Sequence, residues 1–597
     1  SHFGSGDLVQ VRFKHIHMTH MFHTSCLSKF LLSLCLSCIK CDGAPCPNGE
    51  CPDVHNSDNP DLIQKAVFIE IGDAVGAQDV RNFSQSELFH LNLALHTFPL
   101  HVIKILRSLW QPFIFMGILV MVMLVVASLL MAGSHRGLRR SGAERAATAC
   151  NILLFLQHLT FTLVIPYSYS LAAAIGAGTV FSGWLIGVYM AGVFLGSTFA
   201  WILFQVKPKF WKRGQTLLVC ATLCNALGAM LYFLVSFAAE EAAVTHGKII
   251  PGCAFLLIVA RAVDGLGTGI VVHFSLVSLT SMFSDEERVA RAVDNSFAVL
   301  LGLGLGPLLA SALVSCCAAS GRLCTIGIAY VGVTVAVFLI CQVHFPKSLE
   351  QIEHYELTYS QQRVLPEKTY SRAALLCSGL ACSCTRGFAI SGLESGIAFL
   401  LQSHYDFDEE HIGLIIGVCF LILLPLRSIY GCIKQMGCMS HMGWTRAFIL
   451  MTACGSFLLY TGSADLFGIK HSWCLVLACG IMCPFYVMSD AIVTGVMMQQ
   501  VFPTGSWFDA NYLMLWRSIC LSAIGRTLGP PLARYSAEFS QDAFATQQVV
   551  AVAMVWLLFE AIFRPCEATV SEADMDLEID DVTTLVRMVS PQISNPL

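Results

Sequence analysis

The sequence predicts an all-α, polytopic membrane protein built from two six-helix pseudo-repeats, with one further transmembrane helix ahead of them. The first observation behind this is a repeated phrase. Gly302-Leu303-Gly304-Leu305-Gly306-Pro307 and Gly525-Arg526-Thr527-Leu528-Gly529-Pro530-Pro531 lie about 220 residues apart, each inside a long apolar segment, as expected of a duplicated membrane fold. The second is composition. Charged residues make up 13% of the 597 and hydrophobic residues 55%, a surface that water cannot cover on every side. The third is a series of apolar runs, each long enough to cross a bilayer.

The chain opens with residues 1–20, which begin with Ser1 rather than a methionine, carry no hydrophobic pattern and read as an untranslated or disordered leader. In residues 21–41 a short polar start with Lys29 leads into an apolar run ending near Cys38, the layout of a secretory signal peptide. A disordered terminus with a chance apolar patch accounts for the same text. Residues 42–111 are polar and hold Cys46, Cys51 and the sequon Asn82-Phe83-Ser84, a glycosylation candidate at Asn82 that suits an oxidising lumen. The spacing of Cys35, Cys38, Cys41, Cys46 and Cys51 does not pair two Cys-x-x-Cys hooks across a proper gap, so no metal site is expected.

Residues 112–132 form the additional transmembrane helix. Arg136, Arg139, Arg140 and Arg145 follow it, and the positive-inside rule sets that loop in the cytosol and the preceding segment in the lumen or outside. Twelve core spans come next: 148–171, 179–204, 215–238, 250–280, 293–316 and 324–344, then 373–402, 411–432, 446–464, 471–498, 512–534 and 546–563. The N-terminal half is therefore 148–344 and the C-terminal half 372–563. A polar cytosolic connector, 345–371, joins them, and an acidic cytosolic tail, 564–597, ends the chain.

Ionisable residues inside a membrane are costly and usually face a cavity or a partner. Arg261 and Asp264 are three apart, on one face of the fourth span, and are placed to pair with each other or with a facing helix. Arg261 reads as a substrate or gating group or as a brace for helix ends, and Asp264 as its structural partner or as a proton carrier. Glu394, in the seventh span with Arg386 about two turns before it, has no cation among its near neighbours. It is the candidate for carrying a proton. Asp490 occupies the tenth span, at the pseudo-repeat of the Arg261 helix. Gln157 and His158 in the first span face the same path, and His158 is a residue type that titrates between pH 5 and 8. Arg427 and Arg526 are candidate partners for Glu394 or Asp490. Gly302, Gly306, Gly525 and Gly529, with Pro307, Arg526 and Pro530, are expected at the seam between halves, where missing side chains allow close approach and proline permits a bend.

The paired Gly-Pro helices, the Arg261-Ala262-Val263-Asp264-Gly265-Leu266-Gly267 segment and the basic connection after the second span resemble the major facilitator superfamily. Within it the chain resembles the branch of the SPX-linked vacuolar phosphate transporters of plants and the lysosomal facilitator proteins of animals. The matching text is Val164-Ile165-Pro166 leading to Gly176 and Ser182-Gly183, then Leu393-Glu394-Ser395, Gly413 to Gly417 with Pro425, and Gly525 to Pro530, within residues 148–563. The resemblance implies a major facilitator fold whose first, fourth, seventh and tenth core helices line a central path. It also implies alternating access and a small anion such as phosphate as substrate, with an endolysosomal or vacuolar membrane as the site and the plasma membrane as the alternative. The chain departs from the pattern in three places. The loop from Lys207 to Arg213 lacks the usual Asp, Val272-His273-Phe274 replaces a basic pair, and residues 1–111 are too short and too weakly basic to read as an SPX domain.

No phosphate-binding loop of the form Gly-x-x-x-x-Gly-Lys-Ser/Thr occurs, so neither an ATP-driven pump nor any other enzyme is expected, and no cofactor. The basic residues sit in short loops beside the spans, which excludes nucleic acid as a partner. The expected partners are the lipid bilayer and a small-molecule or ionic substrate, with protons as the candidate coupling ion. An anion channel of the same fold and a non-transporting receptor or scaffold are the competing readings.

Overall fold

The computed structural model describes residues 117, 120, 142–207, 213–245, 252–283, 285–316, 322–345, 366–426, 429–430, 439–502 and 506–568. The expected leader, signal peptide, luminal segment and Asn82 lie outside them, as do Arg427 and most of the additional helix, the connector and the acidic tail.

Among the described residues the chain makes twelve helical segments in the expected order. In the first half they are α1 (Ala143–Ala174), α2 (Thr179–Val206), α3 (Gly214–Thr245), α4 (Cys253–Met282), α5 (Asp285–Cys316) and α6 (Arg322–His344). In the second half they are α7 (Pro366–Ser403), α8 (Glu409–Leu421), α9 (His441–Phe457, then Thr461–Phe467), α10 (His471–Gln499), α11 (Ala510–Phe539) and α12 (Gln541–Leu558, continuing as a π-helix to Phe563). Ten of them are long and apolar enough to cross a membrane, or eleven if the bent α9 pair is one span. The exception, α11, carries Arg517, Arg526 and Arg534.

Local chemistry accounts for the breaks. Pro166 lacks an N–H, and the chain passes through a 3-10 turn at Ile165–Tyr167 before α1 resumes at Ser168. Gly176 (φ 70°) then turns the chain toward α2 in a left-handed conformation that a side chain would strain. In the second half Ser440, Asp509 and Ser540 cap the starts of α9, α11 and α12 by accepting from the backbone N–H three residues on. Two spans differ from expectation. The segment expected as one span over 446–464 bends by 90° between Phe457 and Thr461. The seventh helix starts at Pro366, inside the expected connector, because proline fits the first turn of a helix where no N–H is needed.

The packing repeats with the sequence. Extensive contacts join α1 to α5, α2 to α4, α3 to α4 and α3 to α6. The same set recurs as α7 to α11, α8 to α10, α9 to α10 and α9 to α12. The halves meet along two equivalent seams, α2 against α11 and α8 against α5.

Glycines set the closeness of both seams. A Cβ on Gly183 would lie 2.6 Å from the Pro531 Cα, and one on Gly187 would strike the Thr527 carbonyl. At the other seam a Cβ on Gly413 would lie 2.7 Å from the Pro307 carbonyl oxygen, and one on Gly417 equally close to that of Gly304. This corrects the sequence expectation for the repeated signature. Gly302 and Gly306 pack on α1, against Phe155 and Leu159, and Gly525 and Gly529 pack on α7, against Cys384 and Phe388. Residues four apart share one face of a helix, so these glycines serve packing inside each half. The seam is formed by Gly304 with Pro307 and by Pro530 with Pro531, which offer their backbone to the glycines of α8 and α2.

Candidate functional site

A cavity of about 120 Å³ lies between the halves, walled by α1, α2, α4, α5, α7, α10 and α11. One water needs roughly 10–15 Å³ of such space, so the cavity has room for a handful of waters or a small polyatomic ion.

Its charge is uneven. Among the described residues Arg386 from α7 and Arg517 and Arg526 from α11 stand in the wall with a single carboxylate, Asp490 of α10. The Arg517 guanidinium donates to Asp490 Oδ2 at 3.2 Å and Ser383 Oγ donates to Oδ1 at 3.0 Å, while Arg386 Nη1 lies 3.8 Å from Oδ1. Arg386 Nη1 also donates to the Ser489 carbonyl at 3.3 Å. The remaining donors are not used up. Arg386 Nε and Nη2, Arg517 Nε and Arg526 Nε are buried with no hydrogen-bond partner among the described residues.

The helix that supplies two of these arginines is locally widened. From Ser518 to Arg526, nine residues, α11 is π-helical, and the Thr527 hydroxyl donates to the Ser522 carbonyl five residues back. In a regular α-helix nine residues make two and a half turns and would set Arg517 and Arg526 on opposite faces. At roughly 4.4 residues per π turn the same stretch makes about two turns, and both side chains reach the cavity.

The cavity also receives His158 and His273. The His158 ring is anchored on its own helix, with Nδ1 2.8 Å from the Leu154 carbonyl oxygen. His273 Nε2 lies 2.8 Å from Asn511 Oδ1 and so links α4 of the first half to α11 of the second.

Arg261, Asp264, Gln157 and Glu394, expected on the central path, are not part of this wall. Arg261 is fully buried inside the first half, where it donates to the Leu185 and Phe161 carbonyls and to the Tyr330 hydroxyl. Tyr330 passes the contact on to Asp264, whose carboxylate lies 3.9 Å from Arg261. Asn225 donates to Asp264 Oδ1 at 2.7 Å and accepts from Gln157 at 2.9 Å, and Thr268 donates to Gln157 at 2.7 Å. Gln157 and His158 are neighbours on one helix and point about 100° apart, so only His158 reaches the cavity. Glu394 is buried on the α7 face that carries Gly387 and Ile390 of the wall, beyond them toward the end of the helix. Neither of its carboxyl oxygens has a hydrogen-bond partner among the described residues. Arg526 is the cation acting on it across space.

The end of the bundle holding the α1–α2 turn is bridged by polar contacts between halves. Arg534, a buried α11 residue, donates to Ser168 of α1 at 2.8 Å, to Ser182 of α2 and to Ser395 of its own half at 3.3 Å. Glu409, at the start of α8, accepts from Ser170 and pairs with Arg322 at 2.8 Å. Ser315 donates to Glu410 at 2.8 Å. Sequence reading passed over Arg517, Arg534 and Ser383. A signal for the two arginines was present in their company, since three arginines in one membrane span are hard to place against lipid.

The major facilitator superfamily model matches residues 150–530, more than half of the chain. The chain belongs to the Major Facilitator Superfamily. Among solved structures this superfamily member is similar to the human organic anion transporter MFSD10, at 18% identity and TM-score 0.47, over 70% of this chain and 100% of that one. It is also similar to the xylose transporter XylE from E. coli in a partially occluded inward-open conformation, at 14% identity and TM-score 0.48, over 70% and 99%. A third is a bacterial homologue of the iron transporter ferroportin, at 15% identity and TM-score 0.45, over 71% and 99%. No curated protein sequence matches the chain. The twelve described helices, the duplicated packing and the family together make it an integral multi-pass membrane protein that transports a solute.

Proposed function

We propose that this superfamily member is an alternating-access carrier of a small anion, phosphate first among the candidates, in an endolysosomal or vacuolar membrane. One observation carries the reading: three arginines stand in the wall of the central cavity against one aspartate, and each keeps at least one buried donor with no acceptor among the described residues. Buried donors without partners are expensive, and an anion with several oxygens supplies what they need. The seal of Arg534, Glu409 and Glu410 at one end, with the cavity beyond it, is what a carrier closed on one side requires. Glu394 is the proposed coupling group, because a carboxyl buried without a partner is the form that carries a proton.

The test is uptake of labelled phosphate, chloride and small organic anions by proteoliposomes with an imposed pH gradient. Saturable uptake of an anion, reduced at least tenfold by Arg526→Gln, is the expected result. Transport of neutral or cationic solutes with no anion flux would overturn the anion assignment. Gradient-driven uptake unchanged by Glu394→Gln would remove Glu394 from the coupling role.

A further inference from the structure

We propose that Asn295 of α5 sets the specificity of the central cavity, selecting anions that carry a hydroxyl hydrogen, hydrogenphosphate or a small hydroxy acid, over anions that carry none, such as sulfate; this deepens the anion reading above and rests on it. Asn295 is buried, 4% exposed, and stands in the cavity wall. Neither its amide oxygen nor its amide nitrogen has a hydrogen-bond partner among the described residues. Inside a helix the short amide of asparagine ordinarily bonds to nearby backbone or turns to water. A buried amide left open at both atoms is costly, and a ligand that fills both removes the cost.

The donors and acceptors of the wall show what that ligand must bring. Arginine has no acceptor, so Arg386 Nε and Nη2, Arg517 Nε and Arg526 Nε require lone pairs alone. Any small anion supplies those. Asp490 is already served, since Ser383 donates to its Oδ1 and Arg517 to its Oδ2. Asn295 differs from both groups, because its Nδ2 donates while its Oδ1 accepts. Turning the amide over exchanges the two atoms and leaves the same need, one lone pair and one hydrogen. Sulfate and chloride bring no hydrogen and leave the Asn295 oxygen facing negative charge. Hydrogenphosphate brings oxygens for the arginines and for Nδ2, and a P–OH that donates to Oδ1.

Placement supports the division of labour. α5 packs on α10, the helix of Asp490, so Asn295 comes to the cavity from the first half while the three arginines come from the second. A site that hydrogen-bonds a substrate hydroxyl rejects the analogue without it, because its own polar group is then left unpaired. His158 of α1 is the competing acceptor. Its Nδ1 lies 2.8 Å from the Leu154 carbonyl oxygen and so carries the hydrogen, which leaves a lone pair on Nε2 of the neutral ring. Ser518 Oγ is also buried without a partner among the described residues, but a hydroxyl turns to donate or accept and does not discriminate.

The experiment is calorimetric binding of phosphate, arsenate, sulfate and selenate to the purified full chain in lipid nanodiscs at pH 8. All four are then mainly tetrahedral dianions, and the first two alone hold a hydrogen. Wild type is expected to bind phosphate and arsenate at least tenfold tighter than sulfate and selenate. Asn295→Leu should bring the four within about threefold of one another, chiefly by weakening the first two, and it should fold because removing an unpaired amide strands no partner. Asn295→Asp keeps an acceptor and gives up the donors, so it should bind every anion more weakly and retain the preference; it serves if Asn295→Leu does not fold. Lactate and propionate, alike but for a hydroxyl, separate the two sources: lactate bound tighter than phosphate, with propionate rejected, supports Asn295 and makes a hydroxy acid the substrate. Equal binding of phosphate and sulfate by wild type, tighter binding of sulfate, or a preference that survives Asn295→Leu, whether or not His158→Phe abolishes it, overturns the proposal and leaves the anion reading intact. Absence of anion binding to wild type and variants alike overturns both.

Discussion

The two halves each bury a set of arginines and carboxylates, and the sets differ in how completely they are satisfied. In the first half Arg261 spends its donors on two carbonyls and on Tyr330, and Asp264 is bonded by Tyr330 and Asn225. In the second half Arg386, Arg517 and Arg526 all retain buried donors without partners among the described residues, where they outnumber the one carboxylate of the cavity wall. A closed network ties helices together and leaves nothing for a ligand. An open one in a cavity wall is kept at a cost in stability, which a bound ligand offsets. The offset fixed by the Gly-Pro repeat sharpens the contrast, because it sets Arg526 opposite Leu303, Asp490 opposite Gly267 and Arg261 opposite Pro484. Duplication supplied the helices, and each half then acquired its charges at different rungs.

The strongest way to break this comparison is to remove Arg261. Arg261→Met leaves Asp264 buried without its cation, and loss of one member of a buried pair costs about 3–5 kcal/mol. The expected outcome is poor expression and a large fall in melting temperature in detergent, with Arg261→Met/Asp264→Asn recovering part of it. If instead Arg261→Met folds normally and loses only transport, the first-half network is a site and not a scaffold.

Arg526→Gln should behave in the opposite way. It removes a buried cation whose Nε has no partner among the described residues, so melting temperature should hold or rise while anion uptake falls at least tenfold, about 1.4 kcal/mol or more in transition-state or binding terms. A variant that loses stability and transport in parallel would erase the difference between the two regions.

The sequence made the scaffold readable and left the site half hidden, for physical reasons. Apolar runs and repeated glycines report directly on lipid exposure and helix contact, so the order of the twelve core helices and the pairing of Arg261 with Asp264 were legible. Which way a side chain faces depends on helical phase, and phase is lost wherever the helix is irregular. The π-helical stretch of α11 turns Arg517 and Arg526 to one face, a rotation with no signature in the residues themselves. Asp490 was expected to face the central path and lines the cavity, whereas the path expected for Arg261 and Glu394 assumed that every charge on a lining helix points inward. The glycine signature failed in the same manner, since a one-residue change of face separates Gly306, packed on α1, from Pro307, whose backbone meets α8.

A seam substitution tests the comparison from the packing side. Gly187→Val puts a branched side chain against the Thr527 backbone, where neither helix can yield without moving the halves apart. The expected loss is about 1–3 kcal/mol of stability, with transport reduced because the α2–α11 contact no longer closes. Gly178→Val, at a position with open space around it, should be mild by the same assays.

The smallest effect is expected at the bridged end. Glu409 joins Ser170 and Arg322 across the halves, but the Arg322 side chain is 52% exposed, and ion pairs so open to water contribute less than about 1 kcal/mol. Glu409→Gln should leave melting temperature nearly unchanged. Its effect belongs to the balance between closed and open ends, since a few tenths of a kcal/mol suffice to alter a minor population by a measurable factor. Hydrogen exchange at the α1–α2 turn and at the start of α8 should quicken in this variant, and quicken further when the Arg534 bonds are also weakened by Ser168→Ala. Unchanged exchange in the double variant would mean that the end is held by the glycine seams alone, and that its polar contacts are passengers on a packing interface.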